Sequence, residues 1–468
     1  MSRIAQFLRN SEIKTSDLRH REILQKTTRT YLDKVAEAKD KWIDWNYGRE
    51  LARQRKWEAI HRLDDSLKEF ERHARARGTV VHWAENGDEA CKIILNLCKS
   101  RGVRKVIKSK SMVTEEIHLN TFLEKHDITS VESDLGEYIV QLRHESPYHI
   151  ITPAMHLTKE DINLTFHEKL GTPIGSTAEE LIMTARKTLR HEYLTSEMGI
   201  TGANFLVAET GMIVITENEG NARLSSSLPL IHVAVCGIEK VVPCLEDLSL
   251  FLPMLAVSGS GQSLTCYNTM IGGPRQDGET DGPDEFHVVL LDNGRTQLLA
   301  DAEQREALHC IRCGACLNVC PVFKNIGGHA YGTTYQGPIG AVITPHLRGL
   351  KDWKHLSYAS SLCGNCSDVC PVHIDLHHHL LANRRNAIQK GYSSWIEYLS
   401  FQIWTLSMRS KKGYRLSTSI LRLIYKFFCA LGIEGSSIDP LRRWSKDRTL
   451  PKIADQTFRD WWHKRNIH

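Results

Sequence analysis

Apolar residues recur at helical spacing over residues 1–78, in strings such as SDLRHREILQKTTRTYLDKVAEAKDKW, with charged residues between them. Pro is absent there and Gly occurs only at Gly48 and Gly78, so the pattern predicts two or three helices acting as a scaffold or arm. From Gly78 the period changes. Short β-branched runs (TVVHW, KVIKS, HIIT, FLVAE, MIVIT, LIHVAV, KVVP, FHVVLL) alternate with helical stretches such as EACKIILNLCKSRG and TAEELIMTARKTLRHEYLTSEMG. That alternation predicts βαβ units and a mostly parallel sheet over residues 79–295. Residues 296–390 hold two cysteine runs joined by the Gly-rich VFKNIGGHAYGTTYQGPIGAVITP, where tight turns and then a short helix are expected. Residues 391–468 read as helical again. There Ile420, Leu423, Ile424, Phe427, Phe428 and Leu431 fall at i, i+3, i+4, i+7, i+8 and i+11, one face of an amphipathic helix.

Composition leaves the class unchanged but says something of the surroundings. With 468 residues, 41% apolar and 25% charged, the chain is an ordinary globular protein too long for one core. The net charge of +5 is uneven, because residues 391–468 carry 14 Lys or Arg against 6 Asp or Glu, leaving −3 on the first 390. Five of the ten Trp (Trp395, Trp404, Trp444, Trp461, Trp462) also fall in this tail. A basic, amphipathic tail suits packing on the body, docking to a partner subunit or contact with a membrane surface. No nucleic-acid-binding module is visible. Neither a signal peptide nor a run of about 18 apolar residues occurs, so a cytoplasmic protein is expected, at most peripheral to the inner face of the membrane.

In a reducing compartment, clustered cysteines point to metal or redox chemistry rather than disulfides. Seven of the 13 lie in CIRCGACLNVCP (Cys310 to Pro321) and SSLCGNCSDVCP (Ser360 to Pro371), which align without a gap. The first run has the C-x2-C-x2-C-x3-C-P spacing of two-cluster ferredoxins, whose fourth cysteine serves the other cluster. Zinc, which takes four ligands per ion, has no use for a reciprocal fourth cysteine. Crossing the fourth cysteines gives Cys310, Cys313, Cys316 and Cys370 to one [4Fe-4S] cluster. Cys320, Cys363 and Cys366 go to the other, which lacks a sulfur because Ser360 stands opposite Cys310. Three readings remain open for that corner: Ser360 oxygen, a distant cysteine such as Cys429 or Cys266, or an incompletely ligated or three-iron cluster. The other dispersed cysteines read as small buried residues.

In the α/β region the densest polar stretch is TGANFLVAETGMIVITENEGNARLSSSLPLIHVAVCGIEKVVP. Glu209, Glu217, Asn221 and Arg223 are its candidate cleft residues, Arg being suited to gripping a carboxylate or phosphate. ETGMIVITENEGN reads equally as two strands with a polar turn. Lys108, Lys110 and Ser111 follow a strand at a helix start, where they could hold an anion or, for Ser111, cap the helix. No G-x-G-x-x-G dinucleotide fingerprint follows a strand.

Taken together, KSKSMVTEEIHLN, SDLGEYIVQL, TGANFLVAETGMIV and GNARLSSSLPLIHVAVCGIEKVVP, with HCIRCGACLNVCPVFKNIGGHAYG and SSLCGNCSDVCPVHIDL, make the chain resemble the lactate utilization protein B family over nearly its whole length. The resemblance implies an α/β domain of sugar-isomerase and CoA-transferase-like fold. An α-helical dicluster ferredoxin-type domain would follow, with helical segments at both ends. It implies the seven-cysteine ligand set above, three-cysteine second run included. It also implies a role, with two other lactate-utilization subunits, in the oxidation of L-lactate to pyruvate; the one-electron chemistry of the clusters makes the chain the expected electron-transfer subunit, toward an acceptor such as a quinone. An assembly or redox-sensing iron–sulfur protein, or a subunit oxidising another 2-hydroxy acid such as glycolate, are the alternatives.

Overall fold

The computed structural model describes residues 2–431, 439, 442, 448, 454 and 456–465. The first segment forms four helices rather than two or three: α1 (Arg3–Ser16), α2 (Leu18–Lys39), α3 (Trp45–His61) and α4 (Leu63–Ala76). Asp17 and Asp44 cap α2 and α3 by accepting from the His20 and Tyr47 N–H groups, which divides an apparently continuous pattern.

Six parallel strands form the main sheet, in the order β1 (Val80–Ala84), β10 (Glu285–Leu291), β7 (Ile231–Gly237), β4 (Met198–Gly202), β2 (Lys105–Lys108) and β3 (Thr129–Glu132). β7 is buried at every position, as a strand covered on both faces must be. A second sheet carries β8 (Val241–Val242), β5 (Phe205–Val207), β6 (Met212–Glu217) and β9 (Tyr267–Ile271), with β5 and β6 joined as a hairpin.

Seven of the eight β-branched runs are strands. The eighth, HIIT, is a series of bends from which His149 Nδ1 accepts the N–H groups of Ile151 and Thr152, so its backbone pairs locally instead of in a sheet. The strands β3, β4 and β9 gave no such signal. In β4 (MGITG) the glycine is compulsory: a Cβ on Gly199 would lie 1.7 Å from the Ser225 carbonyl oxygen.

Residues 1–390 form one body and 391–468 another. Within the first, the largest of several apolar clusters runs from Phe70 of α4 through Phe205 and Phe251 to Leu317, Phe323 and Trp353 of the cysteine-bearing segment. The change of texture near residue 295 is therefore not a break in packing. The Gly-rich connection sits close against the α/β part, since a Cβ on Gly328 would lie 1.8 Å from the Tyr148 carbonyl oxygen.

In the second body, helices Trp395–Met408 and Lys411–Ala430 carry the amphipathic stretch, with Ile420, Leu423, Ile424, Phe427 and Leu431 exposed. Trp444 and the side chains of Phe428 and Cys429 lie outside the described residues. Among the described residues no helix is long and apolar enough to cross a membrane.

Candidate metal centre and the cleft beside it

The two cysteine runs repeat one backbone path. Arg312 and Leu362 occupy equivalent positions and both take left-handed conformations, at φ 62° and 56°. Gly314 and Gly364 follow at φ 75° and 85° and open the short helices Ala315–Val319 and Asn365–Asp368. A non-glycine residue in this region costs on the order of 1 kcal/mol, a strain that the surrounding fold holds, at Arg312 through Glu239 and the Tyr335 ring. The first loop buries Cys313 and Cys316, whereas in the second Cys366 is buried and Cys363 exposed. The fourth, Cys320 or Cys370, follows the short helix.

The crossed arrangement brings Cys310, Cys313, Cys316 and Cys370 around one cavity, closed by Ile311, Ile339 and Val372. Cys313, Cys316 and Cys370 are buried. Burial, with the neighbouring Cys310, drives the Cys370 thiol up to about 12 and the Cys313 and Cys316 thiols well above the ordinary range. Backbone N–H groups oppose this. Those of Arg312 and Ile374 point at Cys310 Sγ (3.4 Å) and Cys370 Sγ (3.3 Å). Four thiols crowded in an apolar hole are poor acids alone, but they fit a soft multivalent iron–sulfur group that displaces their protons.

Cys320, Cys363 and Cys366 form the second set. Cys320 and Cys366 are buried and Cys363 is exposed. Burial and then Cys320 raise the Cys366 thiol to about 11. Ser360 sits where Cys310 sits in the first loop and copies its hydrogen bond, its Oγ accepting the Leu362 N–H at 3.1 Å. Cys266 is exposed elsewhere, in the loop before β9.

The N-terminal helices do more than scaffold. Arg49 of α3 donates to the carbonyls of Cys370 (2.9 Å) and Ser367 (3.4 Å), and buried Lys56 donates to the Glu239 carbonyl at 2.7 Å. Lys39, Lys56, Lys240 and Arg312 all feel the cysteine charges, so the first cavity lies in a positive surround suited to a group whose ligands are anionic. Arg312 in turn is clamped to the α/β sheet. Glu239 accepts from Arg312 (3.3 Å) and Arg295 (2.5 Å), Arg295 bonds Glu116 in a fork (3.0 and 2.9 Å), and Tyr335 donates to Glu116 at 2.7 Å. Arg312 also stacks on Tyr335, 4.6 Å from its ring centre.

Beyond Arg312 a cleft of about 360 Å³ opens at the C-terminal ends of β2, β3, β4 and β7, where ligands of parallel sheets generally bind. Of the cleft candidates, Glu217 and Asn221 line it and Glu209 and Arg223 do not. Glu209 accepts the Leu245 N–H, and Arg223 lies over the Tyr267 ring. Glu217 accepts the N–H groups of Ala222 and Arg223, yet burial raises it above the usual carboxylate range, as burial and Asp134 raise Glu219. Lys108 is no anion site: it is fully buried and bonded to Glu132 (2.7 Å) and Glu115 (3.2 Å). Ser111 caps its helix by accepting from Thr114 N–H, and Lys110 lines the cleft. The pattern search passed over Lys240, Arg312 and Tyr335. The signal available was a charged pair, Glu239–Lys240, inside the apolar run VAVCGIEKVV.

Three family models match the chain: the LUD domain over residues 67–291, the 4Fe-4S dicluster domain over 306–374, and the lactate utilisation protein B C-terminal region over 382–467. Curated relatives include lactate utilization protein B of Shouchella clausii, 43% identical over 91% of this chain and 89% of its own. Another, of the same name, is from Geobacillus thermodenitrificans, 43% identical over 92% of this chain and 90% of its own. A DUF162 family crystal structure from Deinococcus radiodurans, 98% covered by half of this chain, is 13% identical with a TM-score of 0.26, too low to carry an argument.

Proposed function

This chain belongs to the lactate utilization protein B family, and from that premise we propose that it is the iron–sulfur electron-transfer subunit of a complex oxidising L-lactate to pyruvate. The observation that carries the reading is the single cavity bounded by Cys310, Cys313, Cys316 and Cys370, drawn from two loops well separated along the chain, with Cys320, Cys363 and Cys366 adjacent in the same fold. In this reading the first four cysteines hold one [4Fe-4S] cluster and the last three hold a second, incompletely ligated one. Bound there, the clusters supply one-electron chemistry with little rearrangement.

The chain's own residues set the conditions. Apolar side chains keep water from the first site, and backbone N–H groups and the surrounding Lys and Arg side chains offset the charge of its thiolates. Exposed Cys363 leaves the second site the more accessible of the two, which suits exchange of electrons with a partner. The partners are the two other lactate-utilization subunits, and the exposed apolar side chains and basic flanks of helix Lys411–Ala430 suit docking to one of them or to a membrane surface.

The test uses anaerobically purified full-length protein. Two four-iron clusters correspond to about eight irons per chain, and a three-iron second cluster to about seven. L-lactate added together with the partner subunits bleaches the visible absorbance. Zinc in place of iron, or no bleaching with the full set of subunits, refutes the reading. Faster bleaching by glycolate than by L-lactate would reassign the substrate.

A further inference from the structure

The cleft next to the first cysteine cavity contains a feature that folding alone does not call for. Lys240 is buried, only 6% exposed, and lines the cleft at the end of the 3-10 turn after β7. Its ammonium has no hydrogen-bond or ion-pair partner among the described residues, although Glu239 beside it is fully engaged by Arg295 and Arg312. Held in a largely buried side chain that lines the cleft, this ammonium takes its acceptor from whatever fills that space, water or a ligand. Other donors face the same space. Asn204 spends its side-chain oxygen on the Thr216 N–H at 3.0 Å, and Lys110 reaches only the Ile151 carbonyl oxygen.

We propose that this cleft is the seat of a small monocarboxylate of the 2-hydroxy or 2-oxo class, its carboxylate paired with Lys240 and its second oxygen facing the Asn204 and Lys110 side. The charge balance selects the class. Arg312 is already paired with Glu239, and the lining includes Asp134, Glu217 and Glu219. Two cations without an ion pair among the described residues, Lys110 and Lys240, share the cleft with these acids, and burial raises Glu217 and Glu219 above the usual carboxylate range, so one added negative charge is accommodated better than the two of a phosphate dianion. Glu217 and Glu219, held by backbone N–H groups and lining the same cleft, are available to accept a hydrogen bond from a 2-hydroxyl. The assignment rests on the lactate reading above and adds to it that this subunit, rather than a partner alone, binds the organic acid. Lys240 has one competing role, as a counter-charge to the Cys310 sulfur.

The experiment measures binding of 13C-labelled L-lactate and pyruvate to the iron-loaded, full-length protein by calorimetry and NMR line broadening, with inorganic phosphate as a control. Wild type, Lys240→Met and Lys240→Arg are compared, with the cluster absorbance and potential of each. Saturable binding of lactate or pyruvate is expected, weakened at least tenfold in Lys240→Met and partly restored in Lys240→Arg. Lys240→Met is also expected to gain less thermal stability from added pyruvate than wild type does. The proposal is overturned by any of three results: no binding to fully loaded wild type, phosphate binding tighter than either acid, or a Lys240→Met protein that binds normally while its cluster potential shifts, the mark of a counter-charge only. These outcomes are separate from the electron-carrier reading. Bleaching with partners but no binding to the isolated chain defeats the cleft alone, and binding without bleaching defeats the carrier role alone.

Discussion

Arg295 joins the α/β sheet to the cysteine loop, and its replacement by Met tests how much that junction contributes. The side chain is 1% exposed, as are the two carboxylates it pairs with, Glu116 and Glu239. Met keeps most of the volume but removes the fork to Glu116 (3.0 and 2.9 Å), the bond to Glu239 (2.5 Å) and the bond to the Asp292 carbonyl (3.0 Å). Glu239 retains Arg312 at 3.3 Å. Glu116 retains only neutral donors, Asn293 at 2.6 Å and Tyr335 at 2.7 Å. Removing one partner of such a buried pair costs about 3–5 kcal/mol, because a carboxylate is left without its cation. In a body of this size that corresponds to a fall in Tm of roughly 4–6 °C. Calorimetry of the iron-loaded protein reads the shift directly. The double variant Arg295→Met/Glu116→Gln removes the stranded charge and recovers part of the loss. A single variant melting within ~1 °C of wild type, or a double variant below the single, would refute the stranded-charge argument.

Three further outcomes are expected. Gly199→Ala, whose new Cβ would sit 1.7 Å from the Ser225 carbonyl oxygen, costs at least about 1–3 kcal/mol by overpacking against backbone; unchanged denaturant midpoints would show that β4 and the helix Asn221–Ser227 separate freely. Burial lowers His20 from 6.5 to about 4 and, with His287, lowers His232 to about 3. Between those values and pH 6.5 the unfolded chain binds more protons, so stability falls as pH drops from about 6.5 toward 4, and His232→Gln flattens the Tm-against-pH curve unless these histidines are protonated in the native state. Ser360→Cys places a sulfur where the Leu362 N–H already meets the Ser360 oxygen, so the variant is expected to carry a complete second four-iron cluster; an unchanged electron spin resonance spectrum and iron count would exclude that corner.

How far the sequence reached depended on whether a signal is local. Helix Gly87–Arg101 shows its Asn86 cap, apolar face and terminal Gly102 in one unbroken stretch, and β7 and β10 show continuous β-branched runs. HIIT failed because its β-branched residues serve a turn organised by His149. β4 was missed because the requirement for Gly199 comes from Ser225, which lies on a separate element, the helix Asn221–Ser227.

The same division runs through the sites. Thiolate chemistry and a fixed ligand spacing are written in consecutive residues, so the sequence by itself determined that the chain carries ferredoxin-type cysteine runs. The cleft is different. Glu209 and Arg223 share a stretch with Glu217 and Asn221, but strand and helix geometry turns only the latter two toward Lys110, Lys240 and Arg312. Which charges remain unpaired is decided by partners distant in the chain: Lys108 pairs with Glu132 and Arg312 with Glu239, while Lys240 makes no ion pair among the described residues. Periodicity and spacing are properties of neighbours along the chain, whereas burial and charge compensation are sums over neighbours in space, which only the folded chain brings together.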